Sequence, residues 1–132
     1  RNLGPAKGKD FAPAIGPWLV TKDELAGRLR PSPKGNVLDA RMTAHVNGVQ
    51  VSEGNVSQMD WTFAEIVRRA ADGVTLEPGE VIGSGTVGTG CFLELNGSGV
   101  TKDQWLRPGD VVSLAIDGLG TLTHTIVEDP AK

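Results

Sequence analysis

Four glycines within eight residues, Gly83, Gly85, Gly88 and Gly90, constrain this chain more than any other feature. Glycine gives up the most backbone freedom on ordering, so such a cluster opposes both helix and strand interiors. Gly83-Ser84-Gly85-Thr86-Val87-Gly88 also has the spacing G-x-G-x-x-G of a dinucleotide-binding turn. That turn needs a strand before the glycines and a helix opening on the last of them, whose N-terminus holds the pyrophosphate. Glu80-Val81-Ile82 supplies a plausible strand. The second condition fails, because Thr89, Gly90 and a β-like run, Cys91-Phe92-Leu93-Glu94-Leu95, follow instead. Asp103 stands where a ribose-binding acid would be sought, about 20 residues on, but no βαβ unit lies between. The glycines therefore serve another purpose. They let a backbone carrying the hydroxyls of Thr86 and Thr89 come close to something.

A chain of 132 residues is enough for one modest domain with a core. Its 18 glycines and 8 prolines, with few long periodic runs, favour a mixed, mainly β chain rich in turns. The net charge of −3 and the absence of a basic patch interleaved with aromatics argue against nucleic acid as a partner. No apolar run reaches spanning length, so no transmembrane helix is expected. No signal peptide opens the chain. The single cysteine, Cys91, rules out an internal disulfide framework and fits a cytoplasmic setting. In an apolar strand it reads as a small core residue. Arg1-Asn2-Leu3-Gly4-Pro5 reads as the middle of a loop, as if more chain precedes it.

Along the chain, residues 15–20 form an apolar run bent by Pro17, suited to an irregular or edge segment. Thr21-Lys22-Asp23-Glu24 has capping-box spacing and predicts a short helix to Leu29. Residues 31–36 read as a loop. Residues 37–52 alternate about Asn47-Gly48, a dipeptide that favours a type I′ hairpin because both central residues take positive φ. Residues 60–71 predict the main helix, capped by Asp60 or by Thr62 with Glu65, with Phe63, Ile66, Val67 and Ala70 on a buried face. Arg68 and Arg69 suit its C-terminal end and Gly73 its stop. Residues 111–116 and 121–127 predict two strands around Asp117-Gly118-Leu119-Gly120. Glu77-Pro78-Gly79-Glu80 and Leu106-Arg107-Pro108-Gly109-Asp110 are turns of like chemistry, without a repeat around them.

Few residues announce chemistry. There is no nucleophile elbow and no C-x-x-C pair. His45 and His124 each sit in an alternating strand, with no ligand neighbour at metal spacing. The carboxylates are scattered in turns and helix starts, so none of them forms a cation cage. Lys9, in Lys7-Gly8-Lys9-Asp10-Phe11, has two readings. It is either one of two solvated lysines or a cation beside an anionic substrate.

Four stretches change the picture: GPAKGKDFAPAIGPWLVT, ARMTAHVNGVQVSEGNVSQMDWTFAEIV, PGEVIGSGTVGTGCFLEL and WLRPGDVVSLAIDGLGTLTHTIVE. In this order, from Leu3 to Glu128, they closely resemble the fumarylacetoacetate hydrolase family, above all its bacterial members. The resemblance implies that residues 1–132 are the C-terminal part of one catalytic domain, with that family's mainly β sandwich roll. It implies Mg²⁺ or Mn²⁺, a 2-oxo or 1,3-diketo acid substrate, an enolate held by the metal and a lysine, and a role in aromatic-compound catabolism. It also implies a homodimer. The family lysine falls on Lys9, and the substrate loop on Ser84-Gly85-Thr86. The family's glutamate and aspartate ligands, and the histidine–glutamate pair of its lid, match nothing in this chain. They are expected upstream, in a missing N-terminal half. The rival reading is a non-catalytic binding or assembly module that keeps the fold. A third is a phosphate-binding domain using Gly83 to Gly88.

Overall fold

The computed structural model describes residues 13–128. Six strands and two α-helices lie among them: β1 (Leu29–Ser32), β2 (Gly35–Leu38), β3 (Arg41–Val46), β4 (Val49–Asn55), α1 (Phe63–Ala70), α2 (Phe92–Gly97), β5 (Val111–Ile116) and β6 (Gly120–Thr125). β1 and β2 form a separate hairpin, while the other strands form one sheet in the order β4-β3-β5-β6. Every pairing among the described residues is antiparallel. The mainly β class expected from the sequence is what the structure shows, and the parallel pairing that a dinucleotide fold needs is absent from these residues.

The Asn47-Gly48 turn joins β3 to β4 with φ of 51° and 80°, as the dipeptide predicts. Asn47 also ties this turn to the next strand. Its Oδ1 accepts the Val111 N–H at 2.9 Å and its Nδ2 donates to Asp110 Oδ1 at 2.8 Å. The Asp110 carboxyl is held below the usual range by that amide and by the Arg107 N–H.

Register sorts the sheet into two faces. Met42, Ala44 and Val46 align with Ile116, Leu114 and Val112, and beyond them with Gly120, Leu122 and His124. The other face carries Thr43, His45, Ser113 and Thr123, with Ser113 and Thr123 hydroxyls 2.9 Å apart. Alternation therefore separates an apolar from a polar side. Leu38, Ala40 and Val56 form the core where the hairpin meets the apolar side, with Leu25, Leu29, Met59 and Ile116 packed around them. The core is small and no large side chain among the described residues is fully enclosed.

Several expectations fail for local reasons. Residues 21–28 form consecutive i→i+3 turns and a 3-10 helix, Ala26–Arg28, rather than an α-helix to Leu29. The Thr21 hydroxyl engages the Asp23 carboxyl, lowering its pKa, instead of closing a capping box. Of residues 31–36, read as a loop, only Pro33 and Lys34 form the turn; 31–32 and 35–36 are the paired ends of the β1–β2 hairpin. Residues 15–20, by contrast, form the irregular segment expected, bent at Pro17; Trp18 reaches over and its Nε1 donates to the Leu119 carbonyl at 3.4 Å. Helix α1 is capped by Thr62 with Glu65, as predicted, but none of its residues is buried and Val67 is half exposed. Glu80-Val81-Ile82 forms no strand. Phe92 to Gly97 is a helix, not a continuation of β structure, and Cys91 is exposed at its start rather than in the core. Phe92 and Leu95 stand at helical spacing, and Leu95 is the most buried large side chain, at 3% exposure.

Candidate functional site

A cavity of about 570 Å³ opens where the apolar side of the sheet meets the segments that flank β4. Met42 and Ile116 line it from the sheet, Met59 and Trp61 from the approach to α1, Phe63 from the first turn of α1, and residues 84–88 from the glycine loop. Its size suits a small molecule. Ser84, Gly85 and Thr86, the loop residues singled out from the sequence, all line it and are exposed. Lys9 lies outside the described residues.

The loop is seated by close approaches to its neighbours. A Cβ on Gly54 of β4 would collide with Val87 Cγ2, so only glycine lets Val87 lie against the strand. A Cβ on Gly90 would collide with Thr86 Oγ1, and the Gly90 N–H donates to the Val87 carbonyl at 2.9 Å. Thr86 therefore sits in a tight turn, with its hydroxyl 3.3 Å from the Val87 carbonyl as a weak donor. The second hydroxyl, that of Thr89, turns away from the cavity and meets Ser52 Oγ at 3.2 Å.

The cavity wall is mostly apolar. Among its described residues there is no Lys, Arg or His, and Asp60 is the one ionisable side chain. A substrate carboxylate placed there would meet hydroxyls and backbone N–H groups but no cation from these residues. Burying an anion without a counter-charge is costly. No group of three or more His, Cys, Asp and Glu converges among the described residues, so these residues do not fit a metal cage. Lys34 reaches the cavity rim, where its Nζ donates to the Asp60 carbonyl at 2.6 Å.

Neither histidine lines the cavity. His45 lies on the polar side of the sheet opposite Ser113, whereas His124 lies on the apolar side opposite Val112, with its Nδ1 buried and unpartnered. The sequence reading missed Asn55, Gln58 and Trp61, which do line the cavity. Asn55 and Gln58 form a capping box around the 3-10 helix Val56–Gln58. Its N-x-x-Q spacing was the available signal.

Comparison with known proteins gives a consistent result. The family model described as fumarylacetoacetate (FAA) hydrolase C-terminal matches residues 2–127. An uncharacterised protein of Staphylococcus saprophyticus is 35% identical over 86% of this chain and 33% of its own length. The 2,4-didehydro-3-deoxy-L-rhamnonate hydrolase of a Sphingomonas strain is 33% identical over 92% of this chain and 38% of its own length. A crystal structure of a protein designated HpcE, from Mycobacterium smegmatis, superposes with a TM-score of 0.62 at 32% identity, over 86% of this chain and 36% of that one. The chain thus spans roughly a third of the length of these curated relatives.

Proposed function

We propose, for a chain that belongs to the fumarylacetoacetate hydrolase family, that the protein containing it is a divalent-metal-dependent enzyme acting on 2-oxo or 1,3-diketo acids by way of an enolate. C–C bond hydrolysis is the reaction we favour, with decarboxylation, hydration and isomerisation as the related outcomes. The observation that carries the reading is the position of Ser84, Gly85 and Thr86 on the wall of a small-molecule-sized cavity. The relative named for hydrolysis of a didehydro deoxy sugar acid supports an acidic, oxidised substrate.

In this reading Thr86 donates its hydroxyl to a substrate carboxylate, helped by backbone N–H groups of the loop, and the apolar wall excludes water around the rest of the molecule. Lys9 supplies positive charge where the enolate develops. A bound Mg²⁺ or Mn²⁺ supplies Lewis-acid stabilisation of that charge, from ligands outside this chain. The cavity wall has no cation among its described residues, which is consistent with charge supplied by both.

Exposed apolar side chains support a partner-covered surface. Val81 is 82% exposed, and Trp61, at the cavity, 65%. We read this surface as covered by an N-terminal half and by a second copy in a homodimer. No helix among the described residues is long and apolar enough to cross a membrane.

The test is Thr86→Val, which keeps size and β-branching but deletes the hydroxyl. Losing a hydrogen bond to a charged group costs about 1.5–3 kcal/mol, roughly 10- to 100-fold in kcat/KM. A variant of the longer protein that melts lower yet keeps full kcat/KM would show that the loop is scaffold and not site.

A further inference from the structure

Thr89 adopts φ of +67°. A β-branched residue in the left-handed region is a true outlier, because its branched Cβ crowds the following carbonyl. Such strain persists where the surroundings over-determine it. Three contacts do so here: the Thr89 hydroxyl donates to the Gly88 carbonyl, and two more reach outside the loop. The Thr89 hydroxyl meets Ser52 Oγ at 3.2 Å, and Ser52 lies on β4 with only 6% of its surface exposed. The Thr89 N–H donates to the Glu94 carboxylate in the first turn of α2. Two residues beyond Ser52 on the same strand, Gly54 receives Val87. The end of the glycine loop is thus fixed from the sheet on one side and from α2 on the other, three residues after Thr86.

We propose that Thr89 is the positioning residue of the glycine loop: Ser52 and Glu94 hold it in the left-handed conformation, and through it they fix where Thr86 stands on the cavity wall. The consequence for ligand binding rests on the function proposed above; the consequence for loop order does not. Thr89 itself touches no substrate. Its hydroxyl donates to the Gly88 carbonyl within the loop and pairs with the buried Ser52 hydroxyl on the sheet.

The experiment uses the longer protein with Thr89→Val, which preserves shape but not the hydroxyl, and Thr89→Ser, which preserves the hydroxyl. Hydrogen exchange at the backbone amides of residues 83–88 reads loop order, and ligand-observed NMR with pyruvate, the smallest 2-oxo acid, reads binding. Loss of the Ser52 contact, together with the hydroxyl's bond to the Gly88 carbonyl, should speed exchange in Thr89→Val about 5- to 10-fold or more, with the β3–β5 amides unchanged and Thr89→Ser near wild type. Pyruvate affinity should fall in step. Ser52→Ala approaches the same contact from the sheet and should reproduce the change if Thr89→Val folds poorly. Unchanged exchange in both Thr89→Val and Ser52→Ala overturns the proposal. Faster exchange with unaltered pyruvate affinity, in these variants and in Thr86→Val alike, leaves the clamp standing and overturns the substrate site.

Discussion

Strands β3 and β5 are joined by an unbroken register from Met42–Ile116 to Val46–Val112, whereas residues 81–87 of the glycine loop pair with no strand. The sheet is specified by its backbone and by alternation, each pair reinforcing the next. The loop takes its place from a handful of side-chain contacts: Val87 on Gly54, Thr89 on Ser52, and the Thr89 N–H on Glu94. The difference explains the division of labour. The redundant region packs Met42 and Ile116 against the core and gives the cavity a fixed floor; the sparsely tethered one supplies a wall that single substitutions can shift.

The largest effect should come from the lysine to which the proposed function gives the charge beside the enolate. Lys9→Met in the longer protein should lower kcat about 100-fold or more, the scale of one preorganised charged contact, with the melting temperature unchanged. Lys7→Met should be nearly silent. Wild-type turnover from Lys9→Met would return both lysines to the status of solvated charges.

A smaller effect should appear where the two regions touch. Gly54→Ala drives a methyl into Val87, and overpacking of this kind costs about 1–3 kcal/mol in urea unfolding. Adding Val87→Ala should restore most of the loss, because it empties the colliding position. If the double variant is as unstable as Gly54→Ala, the strain lies in the β4 backbone and not in the contact with the loop.

The smallest effect belongs to the sheet alone. Glu53 accepts two hydrogen bonds from the Arg41 guanidinium and one from Gln50, and these partners hold its pKa at about 2 against an ordinary 4.5. A depressed carboxyl pKa contributes stability that is present above pH 4.5 and is lost as pH falls through about 2. The pair is exposed, so the contribution is small. Melting curves of wild type and Glu53→Gln should differ slightly at pH 6 and converge toward pH 2, with kcat/KM equal at neutral pH. A gap that widens on acidification would reverse the sign of this assignment.

The same contrast governs what could be read from the sequence. The Asn47-Gly48 hairpin, strands β5 and β6 and the Thr62–Glu65 cap were all legible, because turn chemistry, alternation and capping are local signals. Helix α2 was not. Cys91 to Leu95 contains residues that suit a strand, and the choice is settled by burial of Leu95 and by Glu94 reaching back to Thr89, contacts that the sequence does not display. The β1–β2 hairpin was hidden by Pro31, which the edge of a two-stranded sheet accommodates. The resemblance carried by the glycine loop pointed to Ser84, Gly85 and Thr86, and the structure puts them at a cavity. Asn55 and Gln58 went unnoticed although their N-x-x-Q capping box was readable, because that signal marks a turn and not a cavity; Trp61 reaches the cavity with no motif of its own.

The central claim is that this cavity receives an oxo-acid with its carboxylate against the glycine loop. Crystals of the longer protein grown with Mg²⁺ and soaked with oxalate, a planar mimic of a 2-oxo acid, test it directly. The account predicts oxalate inside the cavity, with one carboxylate oxygen within hydrogen-bonding distance of Thr86 Oγ1 and of a loop N–H. Oxalate bound elsewhere, with the space beside Thr86 filled by the protein's own side chains, would contradict it.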